Sequence, residues 1–236
     1  MLQERTDEHV TWLTFDRPAR LNCFTLADYR DLRVAVERAT ADPATNVIVL
    51  TGNGRAFSAG ADRSLLNLTN TADRATAQEQ FTGLLEALSA CEKPLFAAVN
   101  GLAVGFGATM LLYCDLVLAA ESARFRLPFT ALGITPEAGS SVLLPARARW
   151  DEAMWAMLSS EWIDARAARE LGIVWRVVPD SSLLDLTAKA AATVAAHDPA
   201  AVAATKRLLT AGRAGAARQA IDREFGETTV LFPPSP

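Results

Sequence analysis

Residues 94–141 read PLFAAVNGLAVGFGATMLLYCDLVLAAESARFRLPFTALGITPEAGSS, and this stretch decides the fold. An unbroken apolar run, Leu95–Val99, stops at Asn100-Gly101. A turn punctuated by Gly105 and Gly107 follows, then a short apolar helix and a second buried run, Leu116–Ala120. Continuous apolar runs bounded by turn signals suit strands covered on both faces. A strand that feeds a glycine-rich turn opening a helix leaves backbone N–H groups without partners, facing whatever occupies the cleft. One carboxylate, Glu137, lies downstream in the apolar setting GITPEAGSS. Donors and a single acid in one neighbourhood suit enolate chemistry; a core strand and a plain turn are the alternative reading.

Towards the N-terminus the same pattern recurs. Val10–Phe15 has strand composition and ends at Asp16-Arg17-Pro18. Thr25 to Asp28 has the form of a capping box, and Tyr29, Leu32, Val36 and Ala39 share one helical face. Residues 46–50 form a short buried strand, followed by the small-residue turn RAFSAGAD (55–62) and a polar segment, 64–74. Phe81, Leu84, Leu85 and Leu88 mark a second amphipathic helix. Strand, turn and helix repeated in the same sense predict an α/β domain with parallel strands and crossover helices.

Beyond Ser141 the chain reads as helices over 146–158, 164–171, 183–196, 199–211 and 216–225, with a strand at 173–178. Asp198 and Pro199 make a strong helix start, whereas the tail Phe232-Pro-Pro-Ser-Pro cannot be helical. The expected organisation is a core over 1–180 and a helical C-terminal part over 181–236.

Composition narrows the chemistry. Of 236 residues half are hydrophobic and the net charge is −4, which gives no electrostatic case for nucleic acid or an anionic membrane surface. No run approaches the ~18 apolar residues of a membrane span. Cys23, Cys91 and Cys114 are odd in number and widely spaced, as free thiols in a reducing compartment would be, so the expected location is the cytoplasm. The two histidines, His9 and His197, lack ligand-spaced partners, so no metal is expected, and a Ser-His-Asp hydrolase is disfavoured along with it. Met110 breaks the dinucleotide fingerprint that Gly105 and Gly107 would begin, and residues 52–60 lack the Lys-Ser/Thr of a phosphate loop.

Five segments in this order and spacing, RPARLN (17–22), GRAFSAGAD (54–62), KPLFAAVNGLAVGFG (93–107), CDLVLAAESARF (114–125) and LGITPEAGSS (132–141), resemble the crotonase (enoyl-CoA hydratase/isomerase) superfamily over nearly the whole chain. The resemblance implies a crotonase-like spiral of strand–strand–helix turns with a helical C-terminal part. It also implies assembly as a homotrimer or dimer of trimers, and a coenzyme A thioester as substrate with no permanently bound cofactor. It further implies that the peptide N–H groups of Ala61 and Phe106 hold the thioester oxygen, with Ala59, Gly60, Asp62 and Gly105 beside them in the binding turns. Lys206 would meet a coenzyme A phosphate and Arg20 would approach the nucleotide, though solvated surface charge is the favoured reading for Arg20. Asp62 also reads simply as the cap of the following helix.

The acid–base residues decide the reaction. Hydratases of the superfamily carry two glutamates, and at those positions this chain has Thr109 and Phe129. Instead Thr-Pro-Glu137-Ala-Gly-Ser-Ser is similar to the Ser-Pro-Glu-Gly-Cys-Ser-Ser stretch of the peroxisomal-type 3-enoyl-CoA to 2-enoyl-CoA isomerases, where the glutamate is the single base. The expectation is therefore an isomerase of fatty acid metabolism. In it Glu137, desolvated by Phe129, Leu132 and Ile134, takes a proton from C2 and returns it at C4. Phe106, Met110 and Phe129 would form an apolar tail pocket. The alternatives are a hydratase or another enolate reaction on an acyl-CoA, a non-catalytic acyl-CoA binding protein, and, for Glu137 alone, a helix-start carboxylate.

Overall fold

The computed structural model describes residues 1–66 and 70–231. The chain begins with an antiparallel pair, β1 (Leu2–Asp7) and β2 (Val10–Phe15), and a 3-10 turn at Pro18–Arg20 leads to α1 (Leu26–Ala41). Then come β3 (Val47–Gly52), β4 (Ala56–Ser58), α2 (Arg63–Leu66) and α3 (Thr71–Ala90). After them lie β5 (Leu95–Val99), β6 (Leu102–Val104), α4 (Phe106–Thr109), β7 (Leu116–Ala120) and β8 (Arg124–Arg126). The remainder is α5 (Ser140–Leu143), α6 (Trp150–Ser159), β9 (Ile163–Asp164), α7 (Ala165–Glu170), β10 (Arg176–Val178), α8 (Leu183–Ala195), α9 (Pro199–Thr210) and α10 (Arg213–Leu231).

Each coil of the spiral places one strand in each of two sheets. β3, β5 and β7 lie in the six-stranded sheet, order β1-β2-β3-β5-β7-β10, and β4, β6 and β8 follow them into a four-stranded sheet, order β4-β6-β8-β9. From β2 to β10 every pairing in the larger sheet is parallel. Its central strands are buried along their whole length, which is why they read as apolar runs rather than alternating patterns. The fold is the α/β spiral with a helical C-terminal part, α8–α10, that the sequence leads one to expect.

Two asparagines hold the coil turns together. The buried Asn22 amide donates to the carbonyls of Asn53 and Ala56, and Asn100 donates to those of Gly54 and Ala56. Gly52 N–H returns a bond to Asn100 Oδ1. Gly101 sits where a Cβ would lie 2.2 Å from the Arg55 carbonyl, so the β3–β4 and β5–β6 turns meet backbone to backbone.

Most helices begin where their residues direct. Asp28 accepts the Thr25 N–H at 2.8 Å, completing the capping box; burial would raise this carboxyl, but bonds from Thr25 and Arg17 hold it below its ordinary value. The four apolar positions of α1 and of α3 are all buried. Several boundaries differ from expectation: β10 spans Arg176–Val178 rather than 173–178, and α10 starts at Arg213 rather than 216. α6 starts at Trp150, not 146, because 144–149 close a turn whose Arg147 guanidinium bonds the carbonyl of Cys114. α3 begins at Thr71, inside the segment read as polar, and α10 runs on to Leu231. β1 is an edge strand, exposed and polar from Gln3 to Asp7, a pattern without an apolar face. Residues 67–69, within that polar segment, and the proline-rich tail 232–236 lie outside the described residues. α8 lies across β2, β3, β5 and β7, while α10 packs on α3 and α5.

Candidate active site

Two turns meet at the C-terminal ends of β4 and β6. After β4, Ala59 N–H donates to Leu21 O, and Gly60 N–H to Ser58 Oγ. Phe24 N–H donates to Gly60 O, and Asp62 N–H to Phe24 O, both at 2.8 Å. Ala61 is thus fixed from both sides through its parallel bridge to Phe24, while its own N–H has no protein acceptor among the described residues. After β6, Gly105 adopts φ 54°, ψ −124°, a conformation glycine alone tolerates, and donates to Arg126 O. Phe106 then opens α4, so its N–H has no intrahelical acceptor.

Gly60 brings the two donors together. At φ +82° it takes a left-handed conformation, and a Cβ there would stand 2.6 Å from Val104 O and 3.2 Å from Phe106 N. Only a glycine lets the first turn close against the second. Gly107 has the same role one residue further on, where a Cβ would fall 2.2 Å from Ser58 O.

The Phe106 ring does not line a tail pocket. It is fully buried, with ring centroids 5.0–5.5 Å from Phe24, Tyr29 and Phe81. Each such aromatic contact adds about 0.5–1.5 kcal/mol beyond area burial. The side chain anchors the start of α4 in the core while its backbone serves the site.

Glu137 sits on the loop between β8 and α5. Ala138 (φ 62°) and Gly139 (φ 68°) reverse the chain between it and α5, and Tyr113 hydroxyl donates to Ala138 O at 2.7 Å. Glu137 is therefore not the carboxylate at the start of a helix. That place belongs to Glu224 of α10, which accepts Gly139 N–H at 2.7 Å and Ser141 N–H at 2.9 Å. Two further bonds tie the loop to α10: Thr135 hydroxyl to Glu224 O, and Thr135 to Thr228.

The first turn, through Ala61, and the Glu137 loop line one cavity of about 360 Å³, in the range of small-molecule sites. Ala61, Glu137 and Glu224 line it, with Tyr29, Phe81 and Ile134 among its apolar walls. Burial, and secondarily the charge of Glu224, push the Glu137 carboxyl from 4.5 up to about 8. Tyr29, enclosed between the aromatic cluster and this carboxyl, has its phenol raised well above its ordinary value, chiefly by burial, and stays neutral. The carboxyl and the two backbone donors are the groups a proton shift next to a thioester requires.

Other expected site residues fall elsewhere. Lys206 lies at the opposite, N-terminal end of the parallel strands. Its ammonium is 2.7 Å from Asp115 and donates to Lys93 O, so it ties α9 to the sheet rather than facing the cavity. Arg20 is exposed on the 3-10 turn. Asp62 bonds Ser64 N–H and hydroxyl, and these bonds lower its carboxyl. Thr109, Met110 and Phe129 are buried outside the cavity wall, and Leu132 points outward, 55 % exposed. Of the three residues expected to desolvate Glu137, Ile134 lines the cavity; Tyr29, Ala138 and Ile221 join it there. The walls of the cavity come from α1, α3 and α10 and do not include Phe106, Met110 or Phe129. Among the described residues no group of three His, Cys, Asp or Glu could hold a metal, and no helix is long and apolar enough to cross a membrane.

Sequence reasoning missed Glu224, although α10 carried a signal. Ala217, Ala220, Ile221 and Glu224 form an i, i+3, i+4, i+7 stripe in which all four are buried. A carboxylate as the fourth member of an apolar stripe announces a buried partner.

Residues 5–229 match the family described as Enoyl-CoA hydratase/isomerase. The chain is 37% identical over 224 residues to the 2,3-dehydroadipyl-CoA hydratase of Escherichia coli, covering 95% of this chain and 87% of that protein. It is also 37% identical over 183 residues to the 1,2-epoxyphenylacetyl-CoA isomerase of the same organism, covering 76% and 70%. Among solved structures, the enoyl-CoA hydratase/isomerase from Pseudoalteromonas atlantica superposes with a TM-score of 0.88 at 37% identity, covering 97% of this chain and 91% of that one.

Proposed function

The chain belongs to the enoyl-CoA hydratase/isomerase family, and on that premise we propose that it moves the double bond of a 3-enoyl-CoA thioester to the 2-position with Glu137 as its one acid–base group. The observation that carries this reading is the division of labour between the two cavity carboxyls. Glu137 is free to exchange a proton, whereas both oxygens of Glu224 are committed to backbone N–H groups.

In its ionised form Glu137 takes a proton from C2. The C2–H electron pair moves into the thioester, and the negative oxygen is held by the N–H groups of Ala61 and Phe106. The double bond then reforms between C2 and C3 as the Glu137 carboxyl returns the proton at C4. One carboxyl suffices because the proton is moved within the substrate and no water is added. The apolar walls lower the local polarity and strengthen the two N–H contacts, a condition under which fixed donors stabilise an enolate well.

Hydration is the second reading, favoured by the hydratase named above. It would need a second group able to donate or accept a proton, and Glu224 is the cavity carboxylate available for it. The distinguishing experiment offers purified protein 3-enoyl-CoA and 2-enoyl-CoA substrates of several chain lengths. Double-bond migration without hydration is expected; hydration as the faster reaction would transfer the protein to the second reading. Absence of both would favour an acyl-CoA binding role.

Assembly as a homotrimer or dimer of trimers in the cytoplasm is part of the same proposal. Its support is a run of exposed large apolar side chains on and after α6: Trp150, Trp155, Leu158 and Trp162. Light scattering after size exclusion is expected to give a multiple of three times 25.3 kDa; a monomer at micromolar concentration would overturn it.

A further inference from the structure

The contact between α10 and the loop bearing Glu137 joins residues about 85 positions apart in sequence. Glu224 is 7% exposed, and each of its oxygens accepts one backbone N–H, from Gly139 and Ser141, the residues just beyond the base. Glu224 also borders the cavity that Glu137 lines. A buried charge is costly unless hydrogen-bonded, and two N–H groups alone could have been satisfied by a neutral or exposed cap. What the charge adds is a fixed negative potential beside the base.

We propose that Glu224 is a positioning residue for the proton shift: from the C-terminal helix its carboxylate clamps the base loop in its reactive place and sets a negative charge beside the base. The inference rests on Glu137 being the base. A carboxyl that must both remove and return a proton works best when neither form is strongly favoured. Burial of Glu137 supplies the larger part of that balance and Glu224 the rest. Around Glu137 the other ionisable groups are Tyr29 from α1 and Arg74 from α3, both lining the cavity, and Tyr113, which bonds the adjacent Ala138 carbonyl. Glu224 is the anionic group among them, so its removal acts in one direction, towards easier ionisation of Glu137.

The test titrates the carboxyls of the full chain by 13C NMR with labelled glutamate, assigning the Glu137 resonance by its loss in Glu137→Gln. In Glu224→Gln the Glu137 midpoint is expected to fall by on the order of one pH unit. The acid limb of kcat/KM should move with it, and the kcat plateau above both midpoints should drop because one N–H loses its acceptor. Thr228→Val cuts a different tether of the same loop without changing charge, and is expected to leave the midpoint in place. An unmoved midpoint in folded Glu224→Gln, or an equal movement in Thr228→Val, would overturn the proposal. Should Glu224→Gln fail to fold, Glu224→Asp carries the test: charge is retained, the clamp is shortened, and kcat should fall with KM and the midpoint little changed; an unchanged kcat overturns it. If the midpoint moves but isomerisation does not follow it, the failure lies with Glu137 as base and not with Glu224.

Discussion

Glu137→Gln is expected to lose 3-enoyl-CoA isomerisation by at least about 10³-fold, within the range for a positioned acid–base group, and to gain stability as pH rises. The two effects have one cause. In the folded protein the carboxyl titrates at about 8 against 4.5 for the ordinary group, so the fold disfavours its charged form by on the order of 5 kcal/mol. Below pH 4.5 both folded and unfolded chains hold the proton and nothing is lost. Between 4.5 and 8 the unfolded chain has released it and the native chain has not, so native stability declines with pH. Above 8 the full penalty stands. Glutamine carries no such charge, so the melting temperature of the variant should draw level with or trail wild type near pH 5 and exceed it by pH 9. For a chain of this size each kcal/mol corresponds to about 2–4 °C. Wild-type kcat/KM should meanwhile rise with pH through about 8, because only the ionised form removes a proton. A pH-independent stability difference, or activity retained in the variant, would sink the assignment of Glu137.

The parts of this molecule that can be read from sequence are those whose signals are local along the chain. The central strands are legible because burial on both faces leaves a run such as Val47–Leu50 no polar position to interrupt it. The capping box at Thr25 and Asp28 is legible because its partners are three residues apart. β1 is not, since an edge strand solvated along its length carries no apolar signal. Residues 72–76 near the start of α3 are exposed and equally silent. Glu137 stands out because a lone carboxylate in an apolar segment is conspicuous in one dimension. Its setting is not conspicuous: Ile134 is a local neighbour, but Tyr29, Ile221 and Glu224 arrive from α1 and α10 only when the spiral closes. Lys206 shows the converse. A lysine in a helical segment can be matched to a motif, yet only the folded chain shows its ammonium occupied by Asp115 at the wrong end of the strands.

Gly60→Ala should be the most damaging single methyl group outside the base. Alanine there must adopt φ near +82° or rearrange the turn, and its Cβ would press within 2.6 Å of Val104 O and 3.2 Å of Phe106 N. The obstacle is backbone on both sides, so no side chain can swing away to relieve it. The turn would have to withdraw, carrying Ala61 N–H from Phe106 N–H and opening the pair of donors. Removal of one such donor costs about 2.7–4 kcal/mol of transition-state stabilisation, or about 10²–10³ in kcat. Developing charge on the thioester oxygen appears in the enolate and not in the bound substrate, so the loss should fall on kcat more than on KM. Gly133→Ala provides the comparison: its φ is +70° and no atom lies within 4 Å of the added Cβ. It therefore carries backbone strain without the collision, and strain alone should cost stability while leaving kcat within a few fold. If folded Gly60→Ala retained wild-type kcat, the two turns could not be the enolate's donors, whatever the cavity holds. If both variants lost kcat equally, left-handed strain would be the common cause and the collision at Phe106 irrelevant. A selective loss in Gly60→Ala leaves the closeness of two backbones, set by the absence of one Cβ, as the origin of the oxygen site.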